Sequence, residues 1–129
     1  MEFSQQTIQQ MLDAYLVSDA GKTESTPFFI YKFSESHNIY AQGCRVGDDY
    51  DIEITGEDFL TNPEHLEESG IKYLESLGWE DGPAGNFVCS VNKTELENGD
   101  VAKLIWNSLE AYNTTLDDND CLGYEIQSF

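Results

Sequence analysis

The chain has 129 residues, 40% of them apolar and 12% aromatic, enough for one domain with its own buried core. Twenty-five acidic against six basic residues leave a net charge of −19, a field that repels nucleic acid and anionic membrane. No stretch has the apolar length of a membrane span, and the first twenty residues carry neither a basic start nor an apolar run. The expectation is a soluble, cytoplasmic protein forming a single domain over residues 1–129.

Ser4 is placed to cap a first helix over "QQTIQQMLDAYL", with Phe3 and Ile8 at the two positions of a hydrophobic staple. Ile8, Met11, Leu12, Tyr15 and Leu16 then share one helical face. The polar stretch "SDAGKTESTP" is expected to end that helix as a loop. "FFIYKFS" after Pro27 has the aromatic and branched composition of a strand. "HNIYAQGCRV" and "YDIEITG" read as two more strands around a turn at Gly47-Asp48-Asp49. In the last of these, Tyr50, Ile52 and Ile54 alternate with Asp51, Glu53 and Thr55, so the expectation is one apolar and one acidic face.

A second helix is expected from Asn62-Pro63, with Asn62 as cap and Glu64, Glu67 and Glu68 near the positive end of its dipole. Leu66, Tyr73, Leu74 and Leu77 form its inner face, and Gly78 is the expected left-handed terminator. Trp79 follows as a structural anchor rather than a stacking platform for a ligand. "NFVCSVN" reads as a strand opened by Asn86 and Phe87. A third helix carries Val101, Leu104, Ile105, Leu109 and Tyr112, capped by Asn98 or Asp100, and "CLGYEIQSF" is a closing strand. The expected order is α-β-β-β-α-β-α-β, an α+β domain with a mainly antiparallel sheet and three helices.

Catalytic chemistry finds no motif here: there is no nucleophile elbow, phosphate-binding loop, dinucleotide fingerprint or zinc-protease helix. Cys44, Cys89 and Cys121 are odd in number and widely spaced, which argues against a disulfide framework. His37 and His65 lie in different elements without a cysteine at finger spacing, and "LDDNDCLG" lacks the glycine and glutamate of a calcium loop. The protein is read as a non-enzyme with no metal and no cofactor. Its charge is uneven: Asp48 to Asp81 holds twelve acids against one lysine. Clustered carboxylates speed encounter with a basic protein. Asp48, Asp49, Asp51 and Glu53 are the first candidate contact residues, and Asp117, Asp118 and Asp120 the second.

Several of these segments together resemble a known family. The run "IYAQG", then "YDIEITGEDFL", a helix ending "LESLGW", the strand "GNFVCS" and the helix "VAKLIWNSLEAY" are similar to the type III secretion chaperone-like family related to YbjN, sometimes called TY-Chap. The correspondences fall on Tyr40, Gln42, Glu53, Leu77-Gly78-Trp79, Asn86-Phe87, Leu104 and Leu109, across about residues 39–126. The proline expected soon after the tryptophan comes later here, at Pro83. The resemblance implies a small, acidic, bacterial protein-binding module without catalysis, in a family whose secretion chaperones hold unfolded effectors and often pair as homodimers. An acidic immunity protein neutralising a basic toxin fits the same composition, and both readings stay open at this level.

Overall fold

The first helix, α1 (Gln5–Ala20), begins as its cap foretells. In the computed structural model, which describes residues 4–20 and 27–128, the Thr7 N–H donates to Ser4 Oγ at 3.2 Å. The Ser4 N–H donates back to Thr7 Oγ1 at 2.8 Å. Two backbone donors that a helix start leaves orphaned are thereby satisfied. Phe3, the other half of the expected staple, lies outside the described residues, as do residues 21–26 of the expected loop. Ile8, Met11, Leu12 and Tyr15 are fully buried. The Tyr15 ring meets Phe29 edge-on at 5.2 Å and Tyr50 at 6.0 Å, which seats α1 on the sheet.

That sheet has six strands, all antiparallel: β1 (Pro27–Ser34), β2 (Ile39–Val46), β3 (Asp49–Ile54), β4 (Glu80–Asp81), β5 (Phe87–Val91) and β6 (Gly123–Ser128). Their spatial order is β4-β5-β3-β2-β1-β6. The turn between β2 and β3 is two residues, Gly47-Asp48, and Gly47 takes a φ of 65°, in the region that favours glycine. Alternation sets the faces. Phe29, Tyr31, Phe33, Ile39, Ala41, Ile52, Ile54 and Phe87 point to the core and are buried. Gly43 stands among them because a Cβ there would come within 2.7 Å of the Phe29 ring and 2.8 Å of Ile52.

Four helices, not three, complete the domain, and the order is α-β-β-β-α-β-β-α-α-β. Asn62 does cap, accepting from the Glu64 N–H at 3.0 Å, but it caps a single 3-10 turn at Pro63–His65. The helix α2 (Glu68–Ser76) starts only after Leu66 has turned into the core. Gly70 on α2 has no room for a side chain, since a Cβ would lie 2.3 Å from the Ala111 carbonyl oxygen. The expected third helix is α4 (Asp100–Ser108), and a short helix that was not expected, α3 (Lys93–Glu97), precedes it. A reciprocal cap between Asn92 and Glu95 starts α3. Gly99, at φ 96°, breaks the run, and Asn98 Oδ1 accepts from the Asp100 N–H at 2.9 Å. Leu109 and Tyr112 fall after α4, in and just beyond a 3-10 turn.

The end of α2 closes with Gly78 at φ 106°; its N–H donates to the Glu75 carbonyl and the Trp79 N–H to the Leu74 carbonyl, the pair of hydrogen bonds that marks a left-handed helix stop. Trp79 is 2% exposed, and its indole N–H donates to Ser108 Oγ on α4 at 2.8 Å. Phe87 is buried at the start of β5, paired with Ile54. Among the described residues no helix is long and apolar enough to cross a membrane.

Candidate functional site

The helical layer contacts the sheet from one side. Helix α1 packs on β1 and β6, and α3 and α4 pack on α1. The outward side chains of β1, β2, β3 and β5 all keep some solvent exposure. Strand pairing arranges them in rows that run across the strands. The central row reads Glu80, Val88, Glu53, Gln42, Ile30 and Glu125, one residue from each of the six strands. The next row reads Ser90, Asp51, Cys44, Phe28 and Gln127. Val88 thus sits between the carboxylates of Glu80 and Glu53, Ile30 between Gln42 and Glu125, and Phe28 between Cys44 and Gln127, while the outward basic side chain on these strands is Lys32, beside Tyr40.

Two hollows indent this face and share Glu53. One, of about 520 Å³, is bounded by Asp51, Glu53, Glu80, Pro83, Ala84 and Val88. The other, of about 180 Å³, is bounded by Phe28, Gln42, Gly43, Cys44 and Glu53. Burial pushes the Cys44 thiol above its ordinary pKa, and the carboxylates of Asp51 and Glu53 push it further. It is therefore a neutral, weakly polar part of the surface at pH 7.

Glu53 is held from beneath by Asn86, which is 4% exposed. The Gly56 N–H donates to Asn86 Oδ1 at 2.9 Å, and a backbone N–H can only donate, so the amide orientation is fixed. The Asn86 NH2 must then face acceptors. It reaches the Tyr40 hydroxyl at 3.0 Å and Glu53 Oε1 at 3.3 Å. Thr55, fully buried, accepts from the Tyr40 N–H at 2.7 Å, and its carbonyl accepts from the Tyr112 hydroxyl at 2.5 Å. Burial holds the Tyr112 phenol well above the ordinary tyrosine pKa. Tyr40, Glu53 and Asn86, which sequence reading singled out separately, are thus one hydrogen-bonded cluster.

The two acidic candidate sets do not come together. Asp48 and Asp49 lie at the tip of the β2–β3 hairpin, and Asp51 and Glu53 follow on the outward face of β3. Asp117, Asp118 and Asp120 precede β6 at the opposite end of the sheet. Asp120 is occupied there: it accepts from the Ser34 and Ser36 hydroxyls at 2.6 Å each and from the Ser36 N–H at 3.0 Å. The Ser34 and Ser36 hydroxyls hold its carboxyl below the usual aspartate range, with His37 a smaller contributor. Its work is to pin the β1–β2 turn.

Sequence reading also missed a meeting of the two histidines. The rings of His37 and His65 stand edge-to-face at 4.6 Å, tied to Thr114 and to the Asn113 carbonyl respectively. No spacing in the chain signals that pair, since a 3-10 turn and a loop bring it together. Among the described residues no three His, Cys, Asp or Glu side chains converge as a metal site, and Cys44, Cys89 and Cys121 are free thiols. A further groove of about 630 Å³ runs between α2 and the chain after α4, past Glu67, Tyr73, Glu110 and Tyr112. No family model, curated protein or solved structure matches the chain.

Proposed function

We propose that the protein is a non-catalytic binding module that holds a segment of another polypeptide, in the manner of a chaperone or adaptor, on the outward face of its sheet. The observation that carries this reading is the asymmetry of the layers. A sheet with helices on one side presents Phe28, Ile30 and Val88 outward, framed by Asp51, Glu53, Glu80 and Glu125. Burying such apolar positions against a partner is favourable by roughly 25 cal/mol per Å², and the acidic frame selects a partner of opposite charge. Capping a toxin's phosphate cleft would be better served by a single dense acidic patch. The separation of Asp48 and Asp49 from Asp117 and Asp118 favours chain holding over that alternative.

The test is suppression of aggregation of a reduced, unfolded basic polypeptide, read by light scattering. The wild-type chain should suppress it at near-stoichiometric ratios. The Ile30→Asp, Val88→Asp double variant adds to the negative charge and removes the apolar positions, so it should not. Equal suppression by the variant would refute the proposal.

A further inference from the structure

We infer that the central row on the outward face recognises an extended segment in which two apolar residues flank a lysine or arginine at alternate positions. This inference rests on the protein-binding reading above and specifies the partner. Val88 and Ile30 are separated by three strand spacings, across β5, β3, β2 and β1, or about 14 Å. Residues i and i+4 of an extended chain are about 13 Å apart and point to the same side, as does residue i+2 between them. A chain laid across the strands therefore places one apolar side chain over Val88 and another over Ile30. Between them the row offers Glu53 and Gln42, an anion and an amide.

Glu53 suits the cation for two reasons. It is partly buried and held in place by the fixed Asn86 amide, so little side-chain freedom is lost when a partner binds. It also belongs to both hollows, so the stem of a group that reaches it can lie against Pro83, Ala84 and Val88 on one side or Phe28 and Cys44 on the other. Glu80 and Glu125 close the row at its two ends, which disfavours acidic residues beyond the flanking positions. A second copy of this chain, at −19, is a poor occupant.

The probe is a fluorescent nonapeptide carrying leucine, arginine and valine at alternate central positions, with serine elsewhere. Its companion has norleucine for arginine, which keeps an aliphatic stem and removes the charge. Anisotropy titration should show the arginine peptide binding wild-type protein about tenfold more tightly than the norleucine peptide, the scale of one charge-assisted contact. Glu53→Gln retains a carbonyl to accept from Asn86, and it should bring the two peptides to within about twofold of each other. Added salt should weaken the arginine peptide and spare the norleucine one, a readout that needs no variant. Ile30→Ser and Val88→Ser should each weaken both peptides alike. If Glu53→Gln keeps the full arginine preference, the inference is overturned. The same follows if wild type binds both peptides equally, and the protein-binding reading then survives through the apolar positions alone. If neither peptide binds while aggregation is still suppressed through Ile30 and Val88, the motif is wrong and the face is right. A wild-type dimer abolished by Ile30→Asp would make a second copy the occupant and overturn the inference.

Discussion

Replacing Trp79 tests whether the junction between α2 and α4 is the structural anchor described above. The indole is 2% exposed and its N–H donates to Ser108 Oγ at 2.8 Å, while that hydroxyl donates onward to the Leu104 carbonyl at 2.6 Å. Trp79→Ala empties a large core site and should cost about 3–5 kcal/mol. Ser108→Ala removes the acceptor and leaves a buried N–H without a partner, at a cost of about 1–3 kcal/mol. Trp79→Phe removes the donor, so in that background Ser108→Ala no longer strands the indole. The two changes should therefore be non-additive, with a coupling of about 1 kcal/mol or more. Urea unfolding followed by far-ultraviolet circular dichroism measures each corner of the cycle, because tryptophan fluorescence itself changes with the substitution. Additivity within about 0.3–0.5 kcal/mol, together with a Trp79→Ala cost below about 1.5 kcal/mol, would refute the anchoring role.

Other predictions rest on separate parts of the molecule. Gly56→Ala should destabilise by at least about 2 kcal/mol in urea titration, because its Cβ would lie 1.8 Å from the Gly85 carbonyl oxygen and one backbone must move. Asp120 has a folded-state pKa depressed by the Ser34 and Ser36 hydroxyls, so its contribution is present above the ordinary aspartate value of about 3.9 and is lost as pH falls through the depressed one. Thermal melts from pH 5 down to pH 2 should accordingly show a shallower acid decline in Asp120→Asn than in wild type. The raised Tyr112 phenol has the opposite sign: its contribution is complete below about pH 10 and declines above it, and Tyr112→Phe should flatten that alkaline decline in the same melts. Reversing Asp48, Asp49 and Asp51 to lysine touches exposed side chains, so the midpoint of thermal unfolding should stay the same or rise, while association with a basic polypeptide slows in stopped-flow mixing.

Local periodicity carried much of the fold. The buried side of α1, the alternation of Tyr50, Ile52 and Ile54, the tight turn at Gly47 and the left-handed stop at Gly78 each depend on residues close in sequence. Where neighbouring signals competed, reading faltered. Asn92-Lys93-Thr94-Glu95 holds a capping box, but Asn92 also closes the strand-like run "NFVCSVN", and that competing signal hides α3. Pro63 signalled a helix start correctly in kind, yet Leu66 is drawn into the core and delays the helix to Glu68. The candidate site depends on long-range pairing. Tyr40, Glu53 and Asn86 are each visible in the sequence, while their hydrogen-bonded meeting requires β5 to pair with β3 and β3 with β2. The outward row needs all five pairings at once, including the return of β6 to the side of β1, and no local pattern encodes that register.

A polypeptide partner lying on the outward face of the sheet, as proposed above, would perturb the backbone amides beneath it. Nuclear magnetic resonance of the isotope-labelled protein, titrated with an unfolded basic polypeptide, locates that contact residue by residue. The predicted result is a set of shifted amides at residues 28–32, 40–44, 51–53 and 88–90, with helix α1 unaffected. Shifts confined to residues 67–73 and 106–116, along the groove between α2 and the chain after α4, would contradict it.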